Sequence, residues 1–401
     1  MKILMINHFP LVGSGSGTYT RNIAVHLKKK GHEVSVITPE NTEKFGAIPD
    51  ISTRPVFFTY DEKIEGALPF NFPCFTTHPR STMTFFDLSD GQLAEYLSAF
   101  EKALNKEIAE FKPDIIHAQH IWLLSWLAKK TGIPYVVTAH GTDLMGYQQG
   151  ERFRKYADEA AAGAKSIVTI SNDNGMLVRN MFPDCADKAV YMKNGYDPDR
   201  FYPDQKTKEE IRALFGISLK EKLVLFAGKL AHFKGVDVLL EAAKLYEGER
   251  PGKILTIIAG EGELAAQLKK QAGAYKLSDV HFFGHLDVPQ LRGLYSTADV
   301  SIVPSRREPF GLVAIEALAC GTPVVATNQG GLPDIVSDEV GALVEVDDAL
   351  GLSDAILNEL YRQDKGQRRK AAAKYAFENY AQDSLMDSLI NIFSLAAFKG
   401  F

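Results

Sequence analysis

The segment Glu308–Thr327, EPFGLVAIEALACGTPVVAT, holds the side chains best placed to do chemistry. Glu308 and Glu316 stand with seven residues between them in company that is otherwise mostly Ala, Leu, Ile and Val. A carboxylate among such neighbours needs a partner, because burying a lone charge is costly. Gly311 lets the backbone come close to a ligand. A helix beginning there aims its unpaired N–H groups and the positive end of its dipole at whatever fills the loop. That is the chemistry of an anion site. The apolar run VSIVPS before the segment reads as one buried strand and PVVAT as another, so strand, loop, helix and strand position the two carboxylates.

Two lysines upstream suit the same ligand. Lys229 and Lys234 flank the loop between the strand LVLFAG and a helix from Val236, with Gly228 and Gly235 beside them. Two ammonium groups and a helix start fit a diphosphate, whereas solvated lysines there would oppose the helix dipole. Further upstream, AHGTD sets His140 at the end of the strand YVVTAH, followed by Gly141 and Asp143. Ligands of an open parallel sheet lie just beyond the carboxyl ends of its strands, which favours a functional His140 over a structural one. Near the N-terminus, Gly13, Gly15 and Gly17 do not match the dinucleotide fingerprint. That loop is either a flexible turn or a backbone edge laid against a phosphate or sugar. Asp197-Pro198-Asp199 has a spacing that could hold a divalent ion, but such pairs are ordinary turn formers and no third ligand is evident, so no metal is expected.

The whole chain supplies the scaffold these residues need. Its 401 residues are 45% apolar and 24% charged, enough for two domains with a core each. The formal net charge of −5, without a basic stripe, gives no reason to expect nucleic acid as a partner. Cys74, Cys185 and Cys320 lack metal or redox spacing and read as reduced thiols of a cytoplasmic protein. No apolar run reaches the about 20 residues a membrane span requires. Lys28, Lys29 and Lys30 could touch an anionic membrane, but a helix's last turn explains them more simply through its dipole.

Strands and helices alternate through both halves, the mark of two α/β sheets in tandem. The stretch NGYDPDRFYPDQKTK, rich in Pro and Asp, reads as the linker between them. The boundary is expected at 200/201, with a terminal helix, 382–401, crossing back to the first domain. Periodicity is lost from Ile51 to Asp90, where eight Phe and Tyr residues crowd among prolines. These rings either plug the first core or wall an acceptor pocket; for the second reading Phe75, His78 and Arg80 are the candidates, joined by His140 and Asp143.

Together, EPFGLVAIEALACGTPVVAT, GKLAHFKG, AGEGE, FFGHL and TNQGGLPDIV resemble the nucleotide-sugar half of retaining glycosyltransferases of family four. GSGSGTYT, AHGTDL and NGYD resemble that family's other half, so the likeness spans nearly the whole chain. It implies the GT-B fold, two Rossmann-like α/β domains facing each other across a deep cleft, with acceptor bound by 1–200 and nucleotide-sugar by 201–381. It also implies roles. Glu308 would bond the donor sugar, with the backbone of Phe310, Gly311 and Leu312 lining sugar and phosphates, and Glu316 would hold the ribose. Lys229 and Lys234 would neutralise the diphosphate as it leaves, with N–H contacts from Gly15 and Gly17. Gly260 would line the donor, His285 and Leu286 would read the base through their backbone, and His140 would lie near the reacting sugar. Two departures stand out: the family's usual arginine is lysine at 229, and its paired glycines are interrupted by Ser14 and Ser16.

The expected reaction moves a sugar from a nucleotide donor, uridine-linked glucose or N-acetylglucosamine by preference, to a hydroxyl with retention, with no cofactor beyond the donor. A retaining glycosidase would instead need two carboxyl groups about 5 Å apart across the scissile bond. Two alternatives share the diphosphate clamp: an epimerase or hydrolase, which turns over donor without acceptor, and a binding protein, which holds donor without turnover.

Overall fold

The computed structural model describes residues 1–60, 64–76, 78–249 and 254–398. The chain packs as two compact units, Met1–Lys193 with Leu385–Phe401, and Asn194–Ser384. The expected boundary at 200/201 therefore moves to 193/194, and the return moves from 381/382 to 384/385. The reason is local. The Tyr196 N–H donates to Tyr380 O and the Gln382 N–H to Tyr196 O, both at 3.0 Å, which fastens the start of the Pro- and Asp-rich stretch to the end of a long helix of the second unit. Residues 399–401 of the expected terminal helix lie outside the described residues.

The first unit holds seven strands: β1 (Lys2–Ile6), β2 (Glu33–Glu40), β3 (Ser52–Phe57), β4 (Ile115–Gln119), β5 (Tyr135–Ala139), β6 (Ser166–Thr169) and β7 (Ala189–Tyr191). All pair in parallel, in the order β3-β2-β1-β4-β5-β6-β7. A parallel sheet is covered on both faces, so its strands read as continuous apolar runs, and every residue of β4 and β5 is buried. Alternation along β1 sends Leu4 and Ile6 into one core, and Ile3 and Met5 into the other. The second of these cores is closed by Met386, Leu389 and Phe393 of the helix Gln382–Ala397, at helical spacing.

The aromatic stretch turns inward. Phe58, Phe70, Phe72, Phe75 and Phe85 are all buried in the first core, beside Tyr96, Trp122 and Phe153. It also hides an element without the expected alternation: β3 pairs with β2 at the sheet edge, where Pro55 sits opposite Thr38 and its missing N–H is tolerated.

The second unit repeats the plan with β8 (Lys222–Ala227), β9 (Ile254–Ala259), β10 (Val280–Gly284), β11 (Val300–Val303), β12 (Val324–Thr327) and β13 (Gly341–Val344). They are parallel in the order β10-β9-β8-β11-β12-β13. One face is filled by Val224, Phe226, Leu239, Leu240, Ile258, Ile302 and Ile356. The chain winds outward from β8 through β9 to β10, then from β11 to β13, so β8 and β11 flank the point where the winding reverses. Loops leaving the carboxyl ends of such a strand pair diverge and leave room for a ligand.

Candidate active site

Those two loops carry Lys234 and Glu308. Lys234 ends the short 3-10 turn His232–Lys234 after β8, and its Nζ lies 2.5 Å from Glu308 Oε2 on the loop after β11. The pair is largely shielded, with side chains 17% and 10% exposed. Ser305 Oγ donates to the same carboxylate oxygen at 3.3 Å, and the Ser305 carbonyl accepts from Thr327 Oγ1 at 2.6 Å. Two close approaches hold the loops in place. Gly235 adopts φ +65°, and a Cβ there would lie 1.9 Å from the Pro304 carbonyl. A Cβ on Gly330, at φ +58°, would lie 2.1 Å from the Glu308 carbonyl, which accepts from the Gly331 N–H at 2.9 Å.

Sequence reading passed over the residue that locks this arrangement. Arg306 donates to both Asp237 carboxylate oxygens at 2.9 and 2.7 Å, to Asp347 Oδ1 at 2.6 Å and to the His232 carbonyl at 2.8 Å. Its own N–H and that of Arg307 bond the Phe233 carbonyl at 2.8 and 3.1 Å. The turn bearing Lys234 is thereby tied to the loop bearing Glu308. Only its place two residues before Glu308 in SRRE hinted at this; its partners lie far off in sequence.

Beyond Glu308 the helix Leu312–Ala319 starts at Gly311, whose φ of +109° is left-handed, and no side chain caps its first N–H groups. Leu312 is half-buried, while Phe310 is buried and edge-on to Tyr380. Glu316, on the same helix, has its pKa raised to about 8 by burial, with Arg200 offsetting part of the rise. Lys229, on the loop after β8, has its Nζ 3.6 Å from Glu263 Oε2 of the loop after β9. Gly260, in that loop, presses on the β8 loop, since a Cβ there would lie 1.8 Å from the Gly228 carbonyl. His285 is exposed and Leu286 half-buried on the loop after β10.

In the first unit, His140 follows β5, its Nε2 2.8 Å from Gln119 Oε1 at the end of β4. Burial lowers its pKa to about 3, so the ring is neutral across the physiological range. Asp143 braces the turn, accepting from the His140 N–H at 3.1 Å and the Ile121 N–H at 2.8 Å. Burial raises its pKa to about 6 against those hydrogen bonds. His120 packs 4.7 Å from the His140 ring, and its φ of +72° makes it a strained non-glycine residue.

Gly15 opens the helix Gly15–Lys29 and is exposed, with open space at its Cβ position. Gly17 corrects an expectation: its N–H is taken by Ser14 Oγ at 3.0 Å as a helix cap, so the phosphate contact expected of that amide is already spent. Glycine is needed there for packing, since a Cβ would lie 2.1 Å from the Pro10 carbonyl. Of the acceptor candidates, Phe75 and His78 are buried, His78 stacked on Phe9, and Arg80 is paired with Glu40 at 2.8 Å. These contacts are those of packing and bracing. Asp197 Oδ1 accepts from the Asp199 N–H at 2.9 Å, the geometry of a turn.

Two doubly wound parallel sheets, with a charged pair at the switch point of the second, fit the two Rossmann-like domains that the GT-B resemblance implies. Comparison with known proteins agrees. The family described as Glycosyltransferase Family 4 matches residues 13–200, and Glycosyl transferases group 1 matches residues 207–378. A D-inositol 3-phosphate glycosyltransferase of Geodermatophilus obscurus is 31% identical over 380 residues, covering 88% of this chain and 81% of its own. Among solved structures, sucrose-phosphate synthase from Thermosynechococcus elongatus superposes with a TM-score of 0.77 at 22% identity over 98% of both chains. HepE of Anabaena, in complex with UDP and glucose, gives 0.74 at 19% identity over 98% of this chain and 99% of its own. The chain belongs to the family 4 glycosyltransferases.

Proposed function

We propose that this glycosyltransferase moves a hexose, glucose or N-acetylglucosamine, from a uridine diphosphate donor to an acceptor hydroxyl, with retention at the anomeric carbon and without a metal ion. The observation that carries the reading is the Lys234–Glu308 pair at the switch point, beside the uncapped start of the helix Leu312–Ala319. The cation and the helix N–H groups suit a diphosphate, and the carboxylate suits sugar hydroxyls. Binding of UDP and glucose by HepE, a protein of the same fold, supports the choice of donor.

Each group then has a task. Glu308 accepts hydrogen bonds from the donor sugar, and Glu316, whose carboxyl is poorly solvated, accepts from the ribose hydroxyls. Lys234 and Lys229 meet the charge that grows on the diphosphate as the anomeric C–O bond breaks, a contribution that is largest in the transition state. The acceptor oxygen bonds to the anomeric carbon on the face the diphosphate leaves, and its proton passes to a phosphate oxygen. No side-chain base is required, and the neutral ring of His140 suits a polar contact rather than proton removal.

The test is to incubate the protein with uridine diphosphate glucose and N-acetylglucosamine against a panel of hydroxyl acceptors, reading products by mass spectrometry and anomeric proton coupling. Transfer with retention is expected. Inverted product rejects the mechanism, donor turnover without acceptor favours the hydrolase or epimerase, and tight donor binding without turnover favours a binding protein.

A further inference from the structure

Two neighbouring strands of the first sheet repeat one diagonal contact. β4 and β5 run in register with His117 opposite Val136 and Gln119 opposite Thr138, and residues two apart in a strand share a face. Each polar side chain of β4 reaches two residues past its register partner. His117 Nε2 lies 2.8 Å from Thr138 Oγ1, and Gln119 Oε1 lies 2.8 Å from His140 Nε2. The second of these contacts is the one at the carboxyl end of the sheet, where ligands of such sheets lie. Its backbone is held to the last residue: the His120 N–H donates to Thr138 O at 2.8 Å, and His120, left-handed at φ +72°, then ends the strand.

An amide oxygen only accepts, so the proton in this contact belongs to His140 Nε2. The ring is neutral, because burial lowers its pKa to about 3. A neutral imidazole protonated on Nε2 keeps a bare lone pair on Nδ1. That nitrogen makes no hydrogen bond among the described residues. It is also the accessible one. His8, His117 and His120 are 0% exposed and His140 is 9% exposed. Buried polar atoms without a partner include ring nitrogens of His117 and His120 but none of His140. Tyr19, edge-on at 5.1 Å, and His120, tilted at 4.7 Å, fix the plane of the ring. In this arrangement Gln119 Nε2 is buried without a partner. The amide turned end for end would donate to His140 instead, leaving the ring's proton on Nδ1 and a donor where there is now an acceptor.

We propose that Gln119 is a positioning residue: it sets the tautomer of His140, so that Nδ1 meets the substrate as a hydrogen-bond acceptor for a hydroxyl of the transferred sugar. In the reaction proposed above, on which this assignment rests, the acceptor's O–H gives its proton to a phosphate oxygen, which leaves the sugar hydroxyls for His140. The ring then orients a hydroxyl and takes no proton from it. Which nitrogen of a histidine faces a ligand is decided by the bond the other nitrogen makes, and here that bond is made by Gln119.

The test is nitrogen-15 NMR of the full chain labelled in its histidine rings, with His140→Gln identifying the signals. In the parent, His140 is expected to carry its proton on Nε2 with Nδ1 bare. The Nδ1 signal should move when uridine diphosphate glucose is added and stay in place with UDP alone. In Gln119→Met the amide oxygen is gone, and because a buried N–H without an acceptor is costly, the proton is expected to pass in large part to Nδ1. Calorimetry should then show uridine diphosphate glucose bound about twofold to tenfold more weakly than by the parent, the scale of one neutral hydrogen bond. Should Gln119→Met not fold, Gln119→Leu takes its place, and the parent's spectrum stands without either. A parent ring protonated on Nδ1, a tautomer unchanged by loss of the amide, or an Nδ1 signal indifferent to bound uridine diphosphate glucose overturns the proposal. Failure of UDP itself to bind counts against the donor reading instead, and the tautomers of parent and variant still decide the role of Gln119.

Discussion

Lys234 and Glu308 satisfy one another at 2.5 Å, so a variant at either position loses a partner as well as the proposed ligand contact. Lys234→Ala leaves Glu308 with the Ser305 hydroxyl at 3.3 Å, and some loss of stability follows, because a shielded charge without its partner is costly. Its effect on rate should still be separable: kcat is expected to drop roughly 10²–10³-fold, as when one transition-state donor is removed. Glu316→Ala should act on the other parameter, raising donor KM severalfold to about tenfold through lost hydrogen bonds to the ribose hydroxyls. Steady-state kinetics at a temperature well below both melting transitions checks the split.

Glu316 also makes a prediction about pH. Its carboxyl is lifted from an ordinary 4.5 to about 8, so the folded chain keeps a proton that the unfolded chain releases within that window. Stability is undiminished below about pH 4.5 and falls as pH rises toward 8. Glu316→Gln removes the penalty. The melting temperatures of variant and parent should nearly coincide at the acid end and diverge at the alkaline end, the variant becoming higher by about 3 °C or more, on the scale of 2–4 °C per kcal/mol for a unit of this size. Parallel melts across the window check this, and a constant offset would argue against a buried proton.

Elements were legible from the sequence where they repeat a pattern. Continuous apolar runs marked the parallel strands, and Gly311 with the apolar helix after it marked the loop that follows β11. β3 escaped because an edge strand carrying Pro55 need not alternate. The aromatic stretch could be read as plug or wall, because a list of rings does not say which way they face; packing turned them inward. In the loops after β8 and β11 the residue types that could do chemistry were visible, whereas their supports were not. Arg306 gathers Asp237 and Asp347, and Gly330 and Gly331 pass under the Glu308 carbonyl, contacts that exist only once separate βα loops are side by side. Gly331→Ala tests this at its own scale. Its Cβ would lie 2.6 Å from the Phe310 carbonyl, so the loop must shift. Since displacements of about 1 Å cost on the order of 10²-fold in rate, kcat/KM should fall by at least tenfold while the far-ultraviolet spectrum stays that of the parent.

At the scale of the molecule, the chain builds two parallel sheets of its own, and the terminal helix closes the core of the first by burying Met386, Leu389 and Phe393. The linker's Asp197 and Asp199 serve a turn at the start of the second unit, and in the proposed reaction lysines neutralise the diphosphate, so transfer is expected to survive excess chelator within about twofold. Loss of activity that returns with added magnesium would reassign the diphosphate clamp to a metal. The claim on which the rest depends is that the loops after β8 and β11 hold a nucleoside diphosphate through Lys234. Calorimetric titration of UDP into the parent and Lys234→Ala measures it directly. The expected result is one saturable site per chain, weakened about tenfold or more in the variant, in line with a charge-assisted contact of about 1.5–3 kcal/mol. Equal UDP affinity in the two proteins, or no saturable binding to the parent, would contradict it.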